Sequence, residues 1–206
     1  MAEQAKGPRL SGARINWWVM LAVFAAVFAL GRVVLMLPVF GHGPYGAYAK
    51  GELARLSFKF AGQPAPVVAF IGPGGQPMSL AAFRGKAILV NLWATWCAPC
   101  VTEMPALDAL QAALGGDKFQ VVAINMDADQ VEAAKEFLSD HTLAHLPLYA
   151  DPKLLMDPAL AAPGIPASVL YDPQGKEIAR LYGAVDWASP EARALIERMI
   201  RPPAKS

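Results

Sequence analysis

The centre of the chain reads AILVNLWATWCAPC from Ala87 to Cys100. Its first half, Ala87–Trp93, is an apolar run typical of a strand that is buried on both faces of a sheet. A tight turn should follow, and a helix should begin at Cys97. Pro99 would then lie in the first helical turn, where its missing N–H costs no hydrogen bond. The segment therefore predicts a buried strand that leads into a helix with both cysteines at its N-terminus.

Cys97 and Cys100 are the two cysteines of the 206-residue chain. A structural disulfide framework would need several cysteines spread along the sequence, and a bridge across so short a loop removes little entropy from the unfolded chain. Free backbone N–H groups and the helix dipole favour a thiolate at a helix N-terminus, so a cysteine placed there has a lowered pKa. Cys100 should lie on the same helix face, close enough to resolve a mixed disulfide. The pair is typical of thiol–disulfide chemistry.

Other uses of a Cys-x-x-Cys pair fit the sequence poorly. Haem attachment requires a histidine at the next position, which is Val101. A structural zinc site needs four ligands, and the chain offers three histidines, which we expect at the surface, without a second cysteine pair: His42, His141 and His145. The spacing also differs from the Cys-x-x-x-Cys of copper chaperones. No metal or cofactor is therefore expected, and a formal net charge of +1 indicates no nucleic-acid surface.

Several segments of the chain carry a family resemblance. The dithiol stretch, the EMP sequence after it and two downstream segments resemble the thioredoxin superfamily, and more specifically its membrane-anchored bacterial branch, the TlpA/ResA-type proteins. The resemblance covers roughly residues 62–188. It implies a thiol–disulfide oxidoreductase with a thioredoxin-like α/β fold. The segments that carry it are FRGK at 83–86, WATWCAPC at 93–100, EMP at 103–105, GIPAS at 164–168 and LYDPQG at 170–175.

Strand and helix patterns along the chain agree with that fold class. We expect a mixed β-sheet flanked by helices on both sides, preceded by one N-terminal transmembrane helix. A final helix should start after Ser189, with serine as N-cap and Pro190 in the first turn. The other expected elements are a strand at 67–71, a strand at 119–126, a helix at 130–138, and a hairpin formed by 167–171 and 178–182.

Residues outside the cysteine pair also have candidate roles, and the resemblance implies those of Ile165 and Pro166. Pro166 should follow a cis peptide bond and pack near the dithiol, with the Ile165 backbone available to a substrate peptide. Trp96 and Pro99 should border the site and contact partner proteins. Glu103, one turn beyond Cys100, is a candidate acceptor for the proton of that thiol if burial raises its pKa. The alternative for Glu103 is a solvated helix residue.

A long apolar segment lies near the N-terminus. No charged residue occurs from Ile15 to Gly31, and after Arg32 the apolar run continues to Leu37. A bilayer core needs about 20 apolar residues as helix, so residues 15–37 are predicted to span a membrane, with Arg32 reaching the far interface. A buried core helix and a cleaved signal peptide remain alternatives, although the run exceeds the roughly 7–15 apolar residues of a signal peptide.

The charge pattern around this segment predicts its orientation. Three basic residues precede it, so the N-terminus should stay in the cytoplasm. The catalytic domain would then lie in the periplasm or an equivalent extracytoplasmic space, anchored to the bacterial inner membrane. The expected organisation is a cytoplasmic tail at 1–14, the anchor at 15–37, a glycine- and proline-rich linker at 38–62 and the thioredoxin-like domain at 63–206. Within the linker, Leu53, Leu56 and Phe60 have helical spacing, and a short amphipathic helix there would lie on the membrane or pack on the domain.

Partners follow from the resemblance alone. It implies that the reduced dithiol opens disulfides in exported proteins, such as apocytochrome c or copper-delivery proteins, and that a membrane electron donor reduces it again. Two alternatives stay open at this point: a net oxidant that introduces disulfides, and a membrane-tethered binding module without turnover.

Overall fold

The computed structural model describes residues 17–36, 43–128 and 131–201. The chain divides into two units, residues 1–43 and 44–206. The described part of the first unit consists of helix α1, Trp17–Met36, and Gly43. None of the described helices meets the length and apolarity needed to cross a membrane. The predicted span at 15–37 extends at both ends beyond the described residues, and the predicted tail at 1–14 lies outside them. The anchor therefore stays a prediction.

The second unit is built around a mixed β-sheet. Its seven described strands run in the order β2-β1-β5-β4-β3-β6-β7. Strands β3, β4 and β5 pair in parallel, whereas β6 and β7 at one side and β1 and β2 at the other are antiparallel to their neighbours. The strands are β1 (Phe70–Ile71), β2 (Pro77–Met78), β3 (Ala87–Trp93), β4 (Phe119–Asn125), β5 (Tyr149–Ala150), β6 (Ala167–Tyr171) and β7 (Glu177–Tyr182).

Four helices of the second unit cover the sheet. Ser189 caps the last of them, since its Oγ accepts a hydrogen bond from the Ala192 N–H at 3.3 Å, as the sequence predicted. They are α2 (Ala98–Leu114), α3 (Val131–Asp140), α4 (Met156–Leu160) and α5 (Pro190–Ile200). Three 3₁₀ helices add to these: Gly43–Tyr48, Gly51–Arg55 and Leu80–Phe83.

Strand β3 lies at the centre of the sheet, and all seven of its residues are buried. Leu89 and Trp93 belong to the core cluster that includes α2 and α5, whereas Val90 and Leu92 belong to the cluster on the opposite face with α4. Because side chains alternate along a strand, Asn91 faces the α2 side. This placement brings a buried polar side chain against the helix that carries the cysteines.

The segment expected to be a linker differs from that expectation from residue 44 onward. Leu53 and Leu56 are buried in the core cluster of the α2 face, and Ser57 pairs with Arg180 on the edge strand β7. Arg180 in turn stacks over the Phe60 ring at 4.0 Å. Burial of these apolar side chains outweighs the conformational freedom that glycine and proline suggested. Residues 44–62 are therefore part of the compact unit.

Candidate active site

The two cysteines lie where the sequence placed them, at the N-terminus of α2. Cys97 is the N-cap residue, and its carbonyl accepts the first helical hydrogen bond from the Val101 N–H at 3.0 Å. The two residues form a disulfide with a Cα–Cα distance of 5.2 Å. Cys97 is 5% exposed and Cys100 is fully buried. The structure thus describes the oxidised form, in which Cys97 is less exposed than a bare helix N-terminus suggests but remains the more accessible sulfur.

The surface beside Cys97 is formed by two residues of the motif. Trp96 is 71% exposed, and Pro99 is also exposed in the first turn of α2. Trp93, by contrast, is buried and packs on Phe137 with ring centroids 5.2 Å apart. An exposed indole next to a nearly buried sulfur offers a contact area for a partner protein. Their assignment to substrate binding stays a prediction.

Ile165 and Pro166 approach the same edge of the sheet from β6. The peptide bond between them is cis, as the resemblance implied. Ala167, the next residue, pairs with Leu92 of β3, so the antiparallel register carries Pro166 toward the end of β3 that leads into the dithiol turn. Pro166 is buried and Ile165 is half-buried. The structure therefore brings the predicted loop and the predicted dithiol to one end of the sheet.

Glu103 is not a solvated helix residue. It is 2% exposed, and its carboxylate accepts three hydrogen bonds. Oε1 accepts from the Trp187 indole Nε1 at 2.6 Å and from the Val185 N–H at 3.1 Å. Oε2 accepts from Asn91 Nδ2 at 3.1 Å. A buried acid three positions after Cys100, on the same helix face, is well placed to exchange a proton with that thiol.

Burial raises the pKa of Glu103 from 4.5 to about 7. Loss of water around the ionised carboxylate is the main cause, since it disfavours the charged form. The hydrogen bonds from Trp187, Asn91 and Val185, and the positive charge of Arg55, each act in the opposite direction and favour the carboxylate. The balance leaves an acid that changes its protonation state near neutral pH, where a proton carrier is most effective.

Asn91 joins Glu103 to the sheet. Its Nδ2 group donates to Glu103 Oε2 and also to Ser168 Oγ at 3.0 Å, and Asn91 is the direct partner of Ser168 in the β3–β6 register. Within the described residues, Asn91 Oδ1 has no hydrogen-bond partner. The structure thus gives Asn91 the role of a neutral hydrogen-bond donor to Glu103.

Trp187, Val185 and Ser168 were not predicted to take part in the site. The polar Ser168 inside an apolar strand was one available signal, although it gains meaning only once β6 is paired with β3. Nothing in the local sequence distinguishes Val185 or Trp187, because they reach Glu103 through a loop more than 80 positions away along the chain. Tertiary structure alone brings them there.

Asp127 is a further residue that the sequence did not indicate. Its Oδ2 accepts hydrogen bonds from the Thr95 N–H at 3.1 Å and from Asn125 Nδ2 at 2.8 Å. Thr95 belongs to the turn between β3 and Cys97. Asp127 therefore fixes the turn that sets the position of Cys97, acting from the end of the neighbouring strand β4.

A surface pocket of about 290 Å³ is lined in part by Glu103. Such a pocket has room for water, which can carry protons between the buried carboxyl group and solvent. Its walls come from α2, the loop after β7 and the 3₁₀ helix at 51–55, and the lining residues are Glu52, Thr102, Glu103, Ala106, Ala184, Val185 and Asp186. Across the described ranges, no group of three or more His, Cys, Asp or Glu side chains is arranged to hold a metal ion.

Comparison with known proteins gives the family. A family model described as Redoxin matches residues 60–200, more than half of the chain. The chain belongs to the Redoxin family. It is 34% identical over 122 residues to the thioredoxin-like protein YneN of Bacillus subtilis, covering 59% of this chain and 69% of that protein. It is 30% identical over 152 residues to the thiol:disulfide interchange protein HelX of Rhodobacter capsulatus, covering 73% and 84% respectively.

Other relatives and solved structures agree. The chain is 28% identical over 155 residues to the thiol-disulfide oxidoreductase ResA of Bacillus cereus, covering 75% of this chain and 87% of that one. A thiol:disulfide interchange protein of Chlorobium tepidum superposes with a TM-score of 0.56 at 26% identity, over 66% of this chain and 95% of that chain. Together with the Cys97–Cys100 pair at disulfide distance, these relatives identify a thiol–disulfide oxidoreductase of the thioredoxin superfamily.

Proposed function

We propose that the chain acts as a reductant of disulfides in exported proteins, of the kind used in the maturation of cytochromes c or of the copper site of cytochrome oxidase. The observation that carries the proposal is the Cys97–Cys100 pair at the N-terminus of α2, with a buried carboxyl group of pKa about 7 on the same helix. The names of the ResA and HelX relatives support thiol–disulfide exchange. The nature of the target proteins is part of the proposal.

The reaction follows from the order of the two sulfurs. In the reduced protein, the Cys97 thiolate attacks one sulfur of a substrate disulfide, forms a mixed disulfide and releases the other substrate sulfur as a thiolate, which takes up a proton. Cys100 then loses its proton and attacks Cys97 Sγ. The Cys97–Cys100 disulfide forms, and the second substrate thiol leaves. Two electrons pass to the substrate, and an external dithiol donor in the membrane must return them.

Glu103 acts in the second step. Cys100 is fully buried, so its thiol cannot pass its proton directly to bulk water. Glu103 accepts that proton when ionised and, because its pKa is about 7, releases it readily at neutral pH through the adjoining pocket. Reduction of the disulfide by the external donor runs through the same steps in reverse.

Insulin reduction tests the enzymatic part of the proposal. The reduced full-length chain should precipitate the insulin B chain with dithiothreitol as donor, and Cys97→Ser should abolish this activity. A wild-type chain that binds unfolded proteins without reducing insulin would contradict the proposal and favour the binding module. Equilibration with glutathione then gives the direction, because the dithiol of a reductant has a low reduction potential and stays reduced only in strongly reducing mixtures. A potential close to that of strong oxidants would reassign the chain to disulfide formation.

Trapping tests the proposed substrates. In Cys100→Ser the resolving thiol is absent, so Cys97 should retain its partner as a mixed disulfide that mass spectrometry can identify. Exported proteins with haem-binding or copper-binding cysteines are the expected partners. Capture of cytoplasmic proteins alone would contradict the proposal. Cys97→Ser, which lacks the attacking thiol, is the matched control and should trap little.

The proposed location depends on the N-terminal segment. Its uncharged run from Ile15 to Gly31 and the basic residues before it support an inner-membrane anchor with the catalytic domain outside the cytoplasm. Alkaline phosphatase fused after residue 43, ahead of the compact unit, should be active in a bacterial host, and β-galactosidase fused at the same point should be inactive. The opposite pattern would place the dithiol in the cytoplasm.

A further inference from the structure

The 3₁₀ helix Gly51–Arg55 lies against the loop that supplies two of the hydrogen bonds to Glu103. Leu53, in the middle of the helix, is 1% exposed and belongs to the same core cluster as Cys100 and Trp187. Its burial fixes the helix on the surface of the domain. The polar residues on either side of Leu53, Glu52 and Arg55, are thereby held next to the loop after β7.

Arg55 binds this loop with both arms of its guanidinium group. Nη1 donates to the Tyr182 carbonyl at 3.1 Å, and Nη2 donates to the Ala184 carbonyl at 2.8 Å. Gly183, between these two residues, has a φ of +84°, and a Cβ atom there would lie 3.2 Å from Arg55 Nη1. The glycine thus supplies both the backbone conformation and the close approach that this two-pronged contact requires.

Glu52 holds the next part of the loop. Its Oε2 accepts a hydrogen bond from the Asp186 N–H at 2.8 Å. The carbonyls of residues 182 and 184 and the N–H of residue 186 are therefore all bound to the 3₁₀ helix. The Val185 N–H, which lies between these groups, and the indole of Trp187, which follows them, donate instead to Glu103 Oε1. One short loop is bound on one side by Glu52 and Arg55 and on the other side by Glu103.

We propose that Arg55 and Glu52 are positioning residues for Glu103: they hold the 182–187 loop in the conformation in which Val185 and Trp187 bond the carboxyl group. The inference rests on the proposed function, because it assigns to the 44–62 segment control over the proton carrier of the dithiol. The hydrogen bonds of these two side chains go to backbone groups and to neither cysteine. Both side chains are exposed, so their contacts contribute modestly to global stability.

The charged groups around Glu103 determine the direction of the expected effect. Arg55 favours the ionised carboxylate, and so do the hydrogen bonds from Trp187, Val185 and, on β3, Asn91. The acidic side chains of Glu52 and Asp186 line the same pocket as Glu103. On α2, Cys97 and Cys100 precede Glu103. On β6, the neutral Ser168 is linked to Glu103 through Asn91. Loss of Arg55 removes a cation and loosens two hydrogen bonds, so the pKa of Glu103 should rise.

Arg55→Gln in the full-length chain, purified in mild detergent, tests the proposal with two measurements. The first is the pH profile of disulfide exchange, whose inflection near neutrality should move upward by about 0.5 pH unit, the effect of one charge acting through a largely aqueous path. The second is the ¹⁵N–¹H signal of the Trp187 indole, assigned by its loss in Trp187→Phe. This signal should change position in Arg55→Gln, because its bond to Glu103 is weakened.

Two further variants separate the effect of the paired Arg55 hydrogen bonds from the effect of its charge. Lys50→Gln removes a cation from the same segment; within the described residues the Lys50 side chain makes no hydrogen bond or ion pair, so both measurements should match wild type. Arg55→Lys keeps the charge but loses the two-pronged geometry, and it should displace the Trp187 signal. A wild-type signal and profile in Arg55→Lys would overturn the positioning role and leave only a charge effect. Superimposable data for a folded Arg55→Gln would overturn both.

The positioning role of Arg55 and Glu52 and the proposed function of the chain are contradicted by different results. If wild type reduces no disulfide, the proposed function fails, while the Trp187 signal, followed through the titration of Glu103, still tests whether Arg55 positions the loop. If wild type is active and the Arg55 variants leave the pH profile and the signal unchanged, only the positioning role fails. Should Arg55→Gln prove unfolded, Glu52→Ala, which releases the Asp186 N–H, replaces it, and an unmoved Trp187 signal in that variant would overturn the proposal.

Discussion

Replacement of Glu103 by glutamine should change how the stability of the protein depends on pH. The pKa of Glu103 is about 7 in the folded protein, against 4.5 for an unperturbed carboxyl group. The folded state thus holds the proton more tightly than the unfolded state. The contribution of Glu103 to the free energy of unfolding is therefore greatest below about pH 4.5, falls as the pH rises through the folded pKa, and is constant again above it. Glutamine has no proton to lose, so Glu103→Gln should lack this dependence.

The size of the effect follows from the two pKa values. One pH unit between the folded and unfolded pKa corresponds to about 1.4 kcal/mol, so the difference from 4.5 to about 7 amounts to about 3 kcal/mol. Glu103 is 2% exposed, and solvent screening reduces this figure little. The new amide oxygen can still accept from Trp187 and Val185. Asn91 Oδ1, without a partner among the described residues, can accept from the new amide group if the Asn91 amide turns over.

Urea unfolding of the oxidised protein, followed by near-UV circular dichroism, provides the assay. Subtracting the unfolding free energy of Glu103→Gln from that of wild type cancels the contributions of the other titrating groups. This difference should decrease by about 3 kcal/mol between about pH 4 and about pH 8. Glu136→Gln, at an exposed position of α3, is the matched control and should give a flat difference. A difference for Glu103→Gln that stays constant within about 1 kcal/mol would refute the raised pKa and with it the proton-carrier role.

Three further predictions concern catalysis, reactivity and packing. Glu103→Gln should slow the reduction of a model disulfide about ten-fold near neutral pH, equivalent to about 1.4 kcal/mol of barrier; superimposable pH–rate profiles would leave Cys100 to lose its proton elsewhere. In single Cys→Ser variants, Cys97 should react faster with iodoacetamide than Cys100, because it is the N-cap residue and the more accessible sulfur; equal rates would contradict this order. Leu53→Ala should lower the unfolding free energy by about 2–5 kcal/mol, whereas Ala54→Ser, at an exposed neighbour, should change it little. An unchanged unfolding free energy in Leu53→Ala would mean that the 44–62 segment is only loosely attached.

Long apolar segments of the fold were predictable, and short ones were not. The predicted strand at Ala87–Trp93 has the bounds of β3, and the predicted hairpin and last helix agree with β6, β7 and α5 within a residue or so. The strand predicted at 67–71 is only Phe70–Ile71, β1, in the structure, and the two-residue strands β2 and β5 and the five-residue helix α4 were not predicted. Elements so short carry no periodic pattern, because they are stabilised by their neighbours and not by their own sequence. The linker expected at 38–62 illustrates the same limit, since the burial of Leu53 and Leu56 depends on a surface that the local sequence does not contain.

The features of the site likewise divide into those that follow from local sequence and those that depend on tertiary structure. The spacing of Cys97 and Cys100, with Pro99 between them, indicates a reactive dithiol at a helix N-terminus, and Glu103 lies on the same helix, so its proximity follows from helical geometry. These statements need only local structure. The burial of Glu103, by contrast, requires β3, β6 and the loop after β7 to surround it.

The sequence by itself therefore determined the chemistry: a dithiol motif, the strand that leads into it and the acid one turn beyond. Tertiary structure alone decided the energetics of that acid, because a pKa depends on how much water is excluded and on which donors surround the group. Trp187 and Val185 approach Glu103 from more than 80 positions along the chain, and Glu52 and Arg55 bind their loop from a segment that precedes the whole sheet. Contacts between such distant positions arise only when the core has packed, and no pattern confined to a short stretch of sequence can encode them.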